Sequence, residues 1–409
     1  MKAAIIGGNF IGKGAEAMMT VVVTELQKRL PDISFVLMQP QAILPERAMA
    51  FSERFRVTYV PLGPRTPWDY VCSPVSKLLG VSIRHTAQFR RCIRGCVALL
   101  DIRGFTFRPD GGLRGPHGIG YYMQATIARA HGVKHIILPQ VMGPIKGFFR
   151  RRIAARSVIM AESITVRDDT TKAVLDGIGV AGRKQVDVCP DIAFLFEASP
   201  EYVAREILAK TGIGQSPFVV VAPNIRIYER SDSVDGQNRY VAEHVKLIKH
   251  IRETLGLKVL LVPHEIWPSG RDDRHVISDI CSRCDSRCGV YCLTEDHSAA
   301  DLKAVIGCSE AVIGSRYHSL IASLSMGIPS MAISWSHKYE ELMQSTGMVE
   351  YCVCGATLSG KQLCNKLSHL LADADHVRDY LRQTAEGFRT KIHRLFDETA
   401  AIIERASAT

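Results

Sequence analysis

Short runs of β-branched and apolar residues alternate with stretches of helical period along almost the whole chain. This rhythm constrains the fold more than any other feature. Parallel strands need long crossovers, usually helical, so repeated strand–helix units build a parallel sheet covered on both faces. Strands are expected at 2–6, 33–38, 56–61, 97–102, 135–139, 163–167 and 186–189. After a polar helical stretch around 197–216 the alternation restarts at 218–222, 258–262, 290–293, 310–313 and 330–333. A chain of 409 residues exceeds what one core usually serves. The expectation is therefore an α/β protein with two doubly wound Rossmann-like domains, 1–200 and 215–375, facing a central cleft. The amphipathic helix of 376–409 is placed to pack back on the first. In such folds ligands bind outside the carboxyl ends of the strands.

The opening loop poses a question. "GGNFIGKGAEAMM", residues 7–19, follows a strand and sets Gly7, Gly12 and Lys13 at the spacing of a phosphate-cradling P-loop. The next residue is Gly14, where Ser or Thr should bind magnesium, so a nucleotide switch lacks a required hydroxyl.

The richest strand ends lie in the second half. After 218–222 come Asn224 and Arg226; after 258–262, His264 and Glu265; after 310–313, Gly314, Ser315, Arg316, Tyr317 and His318; after 330–333, Ser334, Ser336, His337 and Lys338. Ser315 reads as a helix N-cap, Gly327 as the residue past the helix end, and Pro329 as the stop. Arg316 and His318 then sit in a first helical turn, where backbone N–H groups already favour an anion. A guanidinium and a titratable imidazole strengthen that site. The competing reading pairs Arg316 with a nearby acid and packs His318 into the core.

Composition narrows the partners. With 46% apolar and 22% charged residues the chain is globular rather than disordered. A net charge of +10 suits nucleic acid, an anionic membrane or an anionic substrate. Nucleic acid is set aside, because no recognisable module accompanies the charge. The basic stretches 82–95 and 145–157 interleave Arg with apolar residues, which fits either a helix lying on lipid headgroups or a solvated basic face. The apolar opening is too short for a secretory signal, and no run approaches 18 apolar residues. A cytoplasmic protein is expected, with peripheral contact at the inner face of the cell membrane. Twelve cysteines in that setting read as free thiols. Cys281, Cys284, Cys288 and Cys292 could gather a metal, but their spacing matches no common finger.

The segment "VIGSRYHSLIASLSMGIPSMAISWSHKYEELMQSTGM" resembles the C-terminal signature of the polysaccharide pyruvyl transferases, an Arg-x-His pair followed by a helix, Gly-x-Pro, a strand and a Lys. Shorter matches are Asn9 and Gly12 in the opening loop, "LPQVMGP", "VRDD", "CPDIAF" and "VVVAPNIR", so the resemblance spans about residues 1–350. It implies a glycosyltransferase-B-like fold and transfer of a pyruvyl unit from phosphoenolpyruvate onto sugar hydroxyls as a ketal. Phosphoenolpyruvate is then a co-substrate, with no cofactor and no metal required.

On the matching positions the resemblance implies that Arg226, Arg316 and His318 hold the donor; Asn224, Ser315 and Lys338, at the same strand ends, are further substrate-binding candidates. Protonation of C3 makes C2 electrophilic, a sugar hydroxyl attacks, phosphate leaves, and a second hydroxyl closes the ketal. His318 is the first choice as acid or phosphate stabiliser. Asp101, Asp110 and Glu265 are all open as the base, Trp267 can stack on a sugar, and Asn9 is placed on the acceptor side. The acceptor is a sugar or a lipid-linked oligosaccharide. The nearest rival is a nucleotide-sugar glycosyltransferase, since the architecture is shared.

Overall fold

The computed structural model describes residues 1–40, 45–62, 83–108, 118–234, 237–268, 270–284 and 289–408; Asp110 and Cys288 lie outside them. The chain divides into two compact units. The first comprises Met1–Phe10, Met18–Ile192 and Thr390–Thr409, the second Ile11–Ala17 and Ala193–Arg389.

The strands of the first unit are β1 (Lys2–Ile6), β2 (Ser34–Pro40), β3 (Val57–Leu62), β4 (Ala98–Asp101), β5 (Phe105–Thr106), β6 (Lys134–Met142), β7 (Ser163–Val166) and β8 (Asp187–Val188). They form a parallel sheet in the order β3-β2-β1-β4-β6-β7-β8, with β5 paired to β6. Ala3–Ile6 of β1 and Ala98–Leu100 of β4 are unbroken apolar runs because central parallel strands are covered on both faces. The C-terminal segment is tied into this unit: Arg29 Nε meets Asp397 Oδ1 at 2.7 Å, His393 Nδ1 lies 3.1 Å from Glu25 Oε2, and Ile392, Phe396 and Ile403 are fully buried.

In the second unit β9 (Phe218–Ala222), β12 (Lys258–Leu261), β13 (Val290–Cys292), β14 (Ala311–Gly314), β15 (Ser330–Ser334) and β16 (Cys352–Cys354) form a parallel sheet ordered β13-β12-β9-β14-β15-β16, beside a small hairpin of β10 (Ser233–Val234) and β11 (Gln237–Asn238). The polar stretch read as helical around 197–216 forms helix Glu201–Thr211. Its Ala204, Ile207 and Leu208 join the second unit's core, and Gly212 ends it at φ +82°. β5, the hairpin and β16 escape sequence reading because two or three residues show no period.

Both basic stretches form helices that bury apolar residues in the core of the first unit. Helix Ile83–Ile93 buries Phe89 and Ile93 against Ala4, Val36 and Leu99. Helix Phe148–Ile159 buries Ala154 and Val158, and its exposed large apolar side chains are Phe148 and Phe149 at its start. Cys281 and Cys292 are paired as a disulfide, contrary to the all-thiol expectation. Among the described residues no side-chain group could hold a metal ion, and no helix is long and apolar enough to cross a membrane.

Candidate active site

The strand order of the second unit reverses at β9. The chain runs from β9 to β12 and β13 on one side, then returns through β14 to β16 on the other. The crevice at such a switch point is where open α/β sheets bind ligands, and here the ends of β9 and β14 are bonded to each other. Asn224 Nδ2 donates to Ser315 O at 2.8 Å, and Asn224 Oδ1 accepts the Arg226 N–H at 2.8 Å, capping the one-turn helix Ile225–Tyr228. Ser315 O also accepts from Tyr339 Oη at 2.8 Å. The Ser315 hydroxyl is not the N-cap expected from its position. It accepts from Tyr240 Oη at 2.6 Å, and Arg316 is the N-cap residue of helix Tyr317–Leu324. Gly314 makes this turn possible, since a β-carbon there would come within 2.8 Å of the Leu320 and Ser319 side chains.

Arg316 is buried and pairs with acids, as the competing reading held. Its Nε lies 3.1 and 2.9 Å from the two Asp273 oxygens, Nη2 bonds Asp273 Oδ1, and Nη1 bonds Glu265 Oε2. Asp273 is wholly buried and also accepts backbone N–H groups from Ile225, His264 and Glu265 at 3.1, 3.1 and 2.9 Å. One carboxylate thereby ties the ends of β9, β12 and β14 together. Glu265 completes a chain of charges: Oε1 accepts from Trp267 Nε1 at 2.8 Å and lies 3.6 Å from Arg226 Nη2. Burial alone would raise the Glu265 carboxyl; Arg316, the Trp267 N–H and Arg226 outweigh it and hold it below the usual range. Burial would likewise depress Arg316, but Asp273 and Glu265 drive it upward, so it stays charged. An ionised Glu265 spent on two arginines orients cations and is poorly suited to be the base. Arg226, with its side chain 36% exposed, is the more accessible arginine.

His318 follows two residues after Arg316, near the start of the same helix. Its ring fills the space above Gly14: a β-carbon at residue 14 would fall inside 3.0 Å of His318 Cγ and Nδ1. This explains the missing hydroxyl of the opening motif, because no side chain fits at position 14. Lys13 is also committed. It is buried, ion-paired to Asp296, and donates to His297 O at 2.5 Å, while its N–H bonds His264 O at 3.1 Å. The segment Ile11–Ala17, which runs into helix Lys13–Arg29, is therefore part of the wall around His318 and not a P-loop. Lys13, Gly14, His264, Lys303 and His318 line a cavity of about 20 Å³, room for one water. Burial, with His318, Lys13 and Arg316 nearby, pushes His264 down to about 3, so it is a neutral imidazole. Burial pushes Lys303 down to about 7, and its Nζ donates to Phe196 O at 2.5 Å.

Lys338 lies 5.0, 5.2 and 5.5 Å from the rings of Tyr317, Trp335 and Tyr339. Trp335 Nε1 donates to Tyr339 Oη at 2.8 Å, which leads back to Ser315. Trp335 also lines a pocket of about 450 Å³, together with Arg230, Arg239, Ser336, His337 and Glu340.

The first unit holds Asn9, half-buried in the loop after β1, and Asp101 at the end of β4. Asp101 is fully buried and lies 3.4 Å from Arg103 Nε and 3.5 Å from His135 Nε2. Burial would raise it, yet Arg103 and His135 hold it low, so it serves the packing of β4 and does not fit a solvent-facing base. Asp110 falls outside the described residues. Two of the short motifs also meet: Arg167 of "VRDD" pairs with Asp191 of "CPDIAF" at 2.8 Å, both buried.

Sequence reading missed Asp273, Asp296 and Lys303. Asp272 and Asp273 look like ordinary helix-start acids, and Asp272 does cap helix Asp273–Arg283 by accepting the Arg274 N–H. Only the need of a buried Arg316 for a counter-charge points to Asp273.

Several solved structures share the fold. UDP-GlcNAc 2-epimerase from Methanocaldococcus jannaschii superposes with TM-score 0.60 at 12% identity, covering 91% of this chain and 93% of that one. HepE from Anabaena, in complex with UDP and glucose, gives 0.61 at 11% identity over 100% of both chains. UDP-GlcNAc 2-epimerase from Neisseria meningitidis bound to UDP-GlcNAc gives 0.59 at 11%, covering 98% and 99%. At such identity the likeness concerns the fold alone, a glycosyltransferase-B-like pair of Rossmann-like domains. The family model described as polysaccharide pyruvyl transferase matches residues 13–337, from the Lys13 that closes the wall around His318 to the helix start beside Lys338. The chain belongs to the polysaccharide pyruvyl transferase family.

Proposed function

We propose that the protein transfers the pyruvyl group of phosphoenolpyruvate to two hydroxyls of a sugar, in a polysaccharide or its lipid-linked precursor, forming a ketal. The observation that carries this reading is the row Arg226, Glu265, Arg316 and His318 gathered at the ends of three parallel strands. Two guanidiniums and a helix start suit a small donor with both a carboxylate and a phosphate. Glu265 takes the place of an anion between the arginines, and the donor carboxylate competes with it for them. Asp273 keeps Arg316 in place throughout.

In the reaction His318 delivers a proton to C3, making a methyl group and an electrophilic C2. The first sugar hydroxyl forms a bond to C2 and loses its proton. The C2–O bond to phosphate breaks, and the second hydroxyl closes the ketal, its proton balancing the departing phosphate. The base on the acceptor side is unassigned, with Asp110 the remaining acid. Asn9, Asn224, Ser315 and Lys338 are proposed to support the substrates, with no resident cofactor. The reaction would take place at the cytoplasmic face of the membrane.

The test is to incubate the protein with phosphoenolpyruvate and candidate saccharide acceptors, following acceptor-dependent phosphate release and the new ketal methyl signal by NMR. His318→Gln should abolish both while the melting temperature holds. Transfer undiminished in that variant removes His318 from the mechanism. The second reading, a nucleotide-sugar glycosyltransferase, draws on the pocket of about 450 Å³ beside Trp335. Thermal stabilisation by UDP-sugars but not by phosphoenolpyruvate would favour it, since a ligand bound to the native state raises the melting point.

A further inference from the structure

The start of helix Phe148–Ile159 is unlike the rest of the first unit's surface. Phe148 and Phe149 are 68% and 70% exposed, the highest values among the large apolar side chains described. They are adjacent, with ring centroids 5.6 Å apart, and stand beside Gly147, whose φ of +87° projects the turn into open space. Two neighbouring exposed phenyl rings form an apolar patch of the kind that marks an interaction site.

Charge identifies the partner. Residues 143–160 contain Lys146, Arg150, Arg151, Arg152 and Arg156 and no acid. Lys146, Arg151 and Arg152, next to the rings in the chain, are exposed, as is Arg156 further along the helix, and Arg152 stacks over Phe148 at 5.7 Å. Arg150 and Arg151 each send one nitrogen to a backbone carbonyl, of Arg108 and Gly177, which holds their stems against the unit. In the chain Asp176 precedes Gly177, and the basic Arg183 and Lys184 follow it. The helix start adds its own partial positive charge. Aromatic rings ringed by cations match an anionic bilayer, where phenyl groups enter the acyl boundary and Lys and Arg meet lipid phosphates.

We propose that the Phe148–Phe149 tip, with Lys146, Arg151 and Arg152 around it, docks this protein on the surface of an anionic lipid bilayer. The body of the helix is buried in the unit's core, so the contact is a two-ring wedge and not a helix lying flat. The inference does not depend on the reaction proposed above, because binding to lipid can be read without any transfer.

The experiment is flotation of the full-length protein with vesicles of phosphatidylcholine containing about one-third phosphatidylglycerol, beside vesicles of phosphatidylcholine alone. The wild type should float with the anionic vesicles at low salt, release at high salt, and ignore the neutral ones. The F148S/F149S variant should lose about tenfold or more in partitioning, and R151E/R152E should lose binding as well. Melting temperature checks the fold of each. F149W supplies a second measurement: it should retain binding, and its emission should shift to the blue on anionic vesicles. Failure of the wild type to float, equal binding to neutral vesicles, or unchanged flotation of F148S/F149S would overturn the proposal. So would a dimer in solution that F148S/F149S dissociates, which would give the rings to a second copy of the chain.

Discussion

The imidazole of His318 rests on the α-carbon of Gly14, so closely that residue 14 has no room for a side chain. Gly14→Ala should push the ring from its place and lower kcat/KM by about 100-fold, the scale of an ångström-sized misplacement of a reacting group. Gly14→Ser restores the P-loop spelling but should not confer magnesium–ATP binding, because Lys13 remains paired to Asp296. Calorimetry with ATP and steady-state kinetics check the two halves of this prediction.

Glu265 sits between Arg226 and Arg316 as an internal anion. Glu265→Gln should lower the KM for phosphoenolpyruvate several-fold while kcat stays within about tenfold, since uniform binding moves KM alone. A kcat loss of three orders of magnitude or more would instead return Glu265 to the list of bases.

Asp273 and Arg316 stand or fall together. Asp273→Ala should cost about 3–5 kcal/mol of stability, the range for stripping one partner from a buried pair. Arg316→Ala should be similarly damaging, as it strips the counter-charge from a carboxyl that burial already raises. Arg226→Ala, at a half-exposed position, should spare stability and raise the donor KM. Urea melts and initial rates separate these outcomes.

Lys303 and His264 give stability a pH dependence of known sign. Burial brings folded Lys303 to about 7 from 10.5, so between those values the unfolded chain binds the extra proton and stability rises with pH. Lys303→Met should therefore melt higher than wild type near pH 7, with the gap closing as pH rises toward 10.5. His264, at about 3 against 6.5 unfolded, contributes full stability above 6.5 and loses it as pH falls toward 3. His264→Gln should flatten part of that acid limb. Calorimetric scans across pH test both.

Much of this was legible from local signals. The strands carry unbroken apolar runs, and Arg316 and His318 follow a strand whose glycine turn announces a helix start. What sequence could not show were partners distant along the chain. Ser315 looked like a cap because the helix beside it is local, whereas Tyr240, which takes its hydroxyl, is 75 residues away. Lys13 looked like a phosphate ligand because Asp296 is 283 positions distant. Asp101 ends a strand as an active-site acid would, yet Arg103 and His135 close over it. The direction of a polar side chain is decided by counter-charges that folding delivers, and periodicity carries no record of them.

The second unit is not one stretch of chain, since Ile11–Ala17 belongs to it along with Ala193–Arg389. A fragment expressed from Ala193 onward would keep every strand of that sheet yet leave Asp296 without its lysine and His318 without the glycine it rests on. Halves produced separately should thus fail as recombinable modules. Swapping the C-terminal portion between related proteins would require carrying the seven-residue segment Ile11–Ala17, mostly the start of helix Lys13–Arg29, along with it.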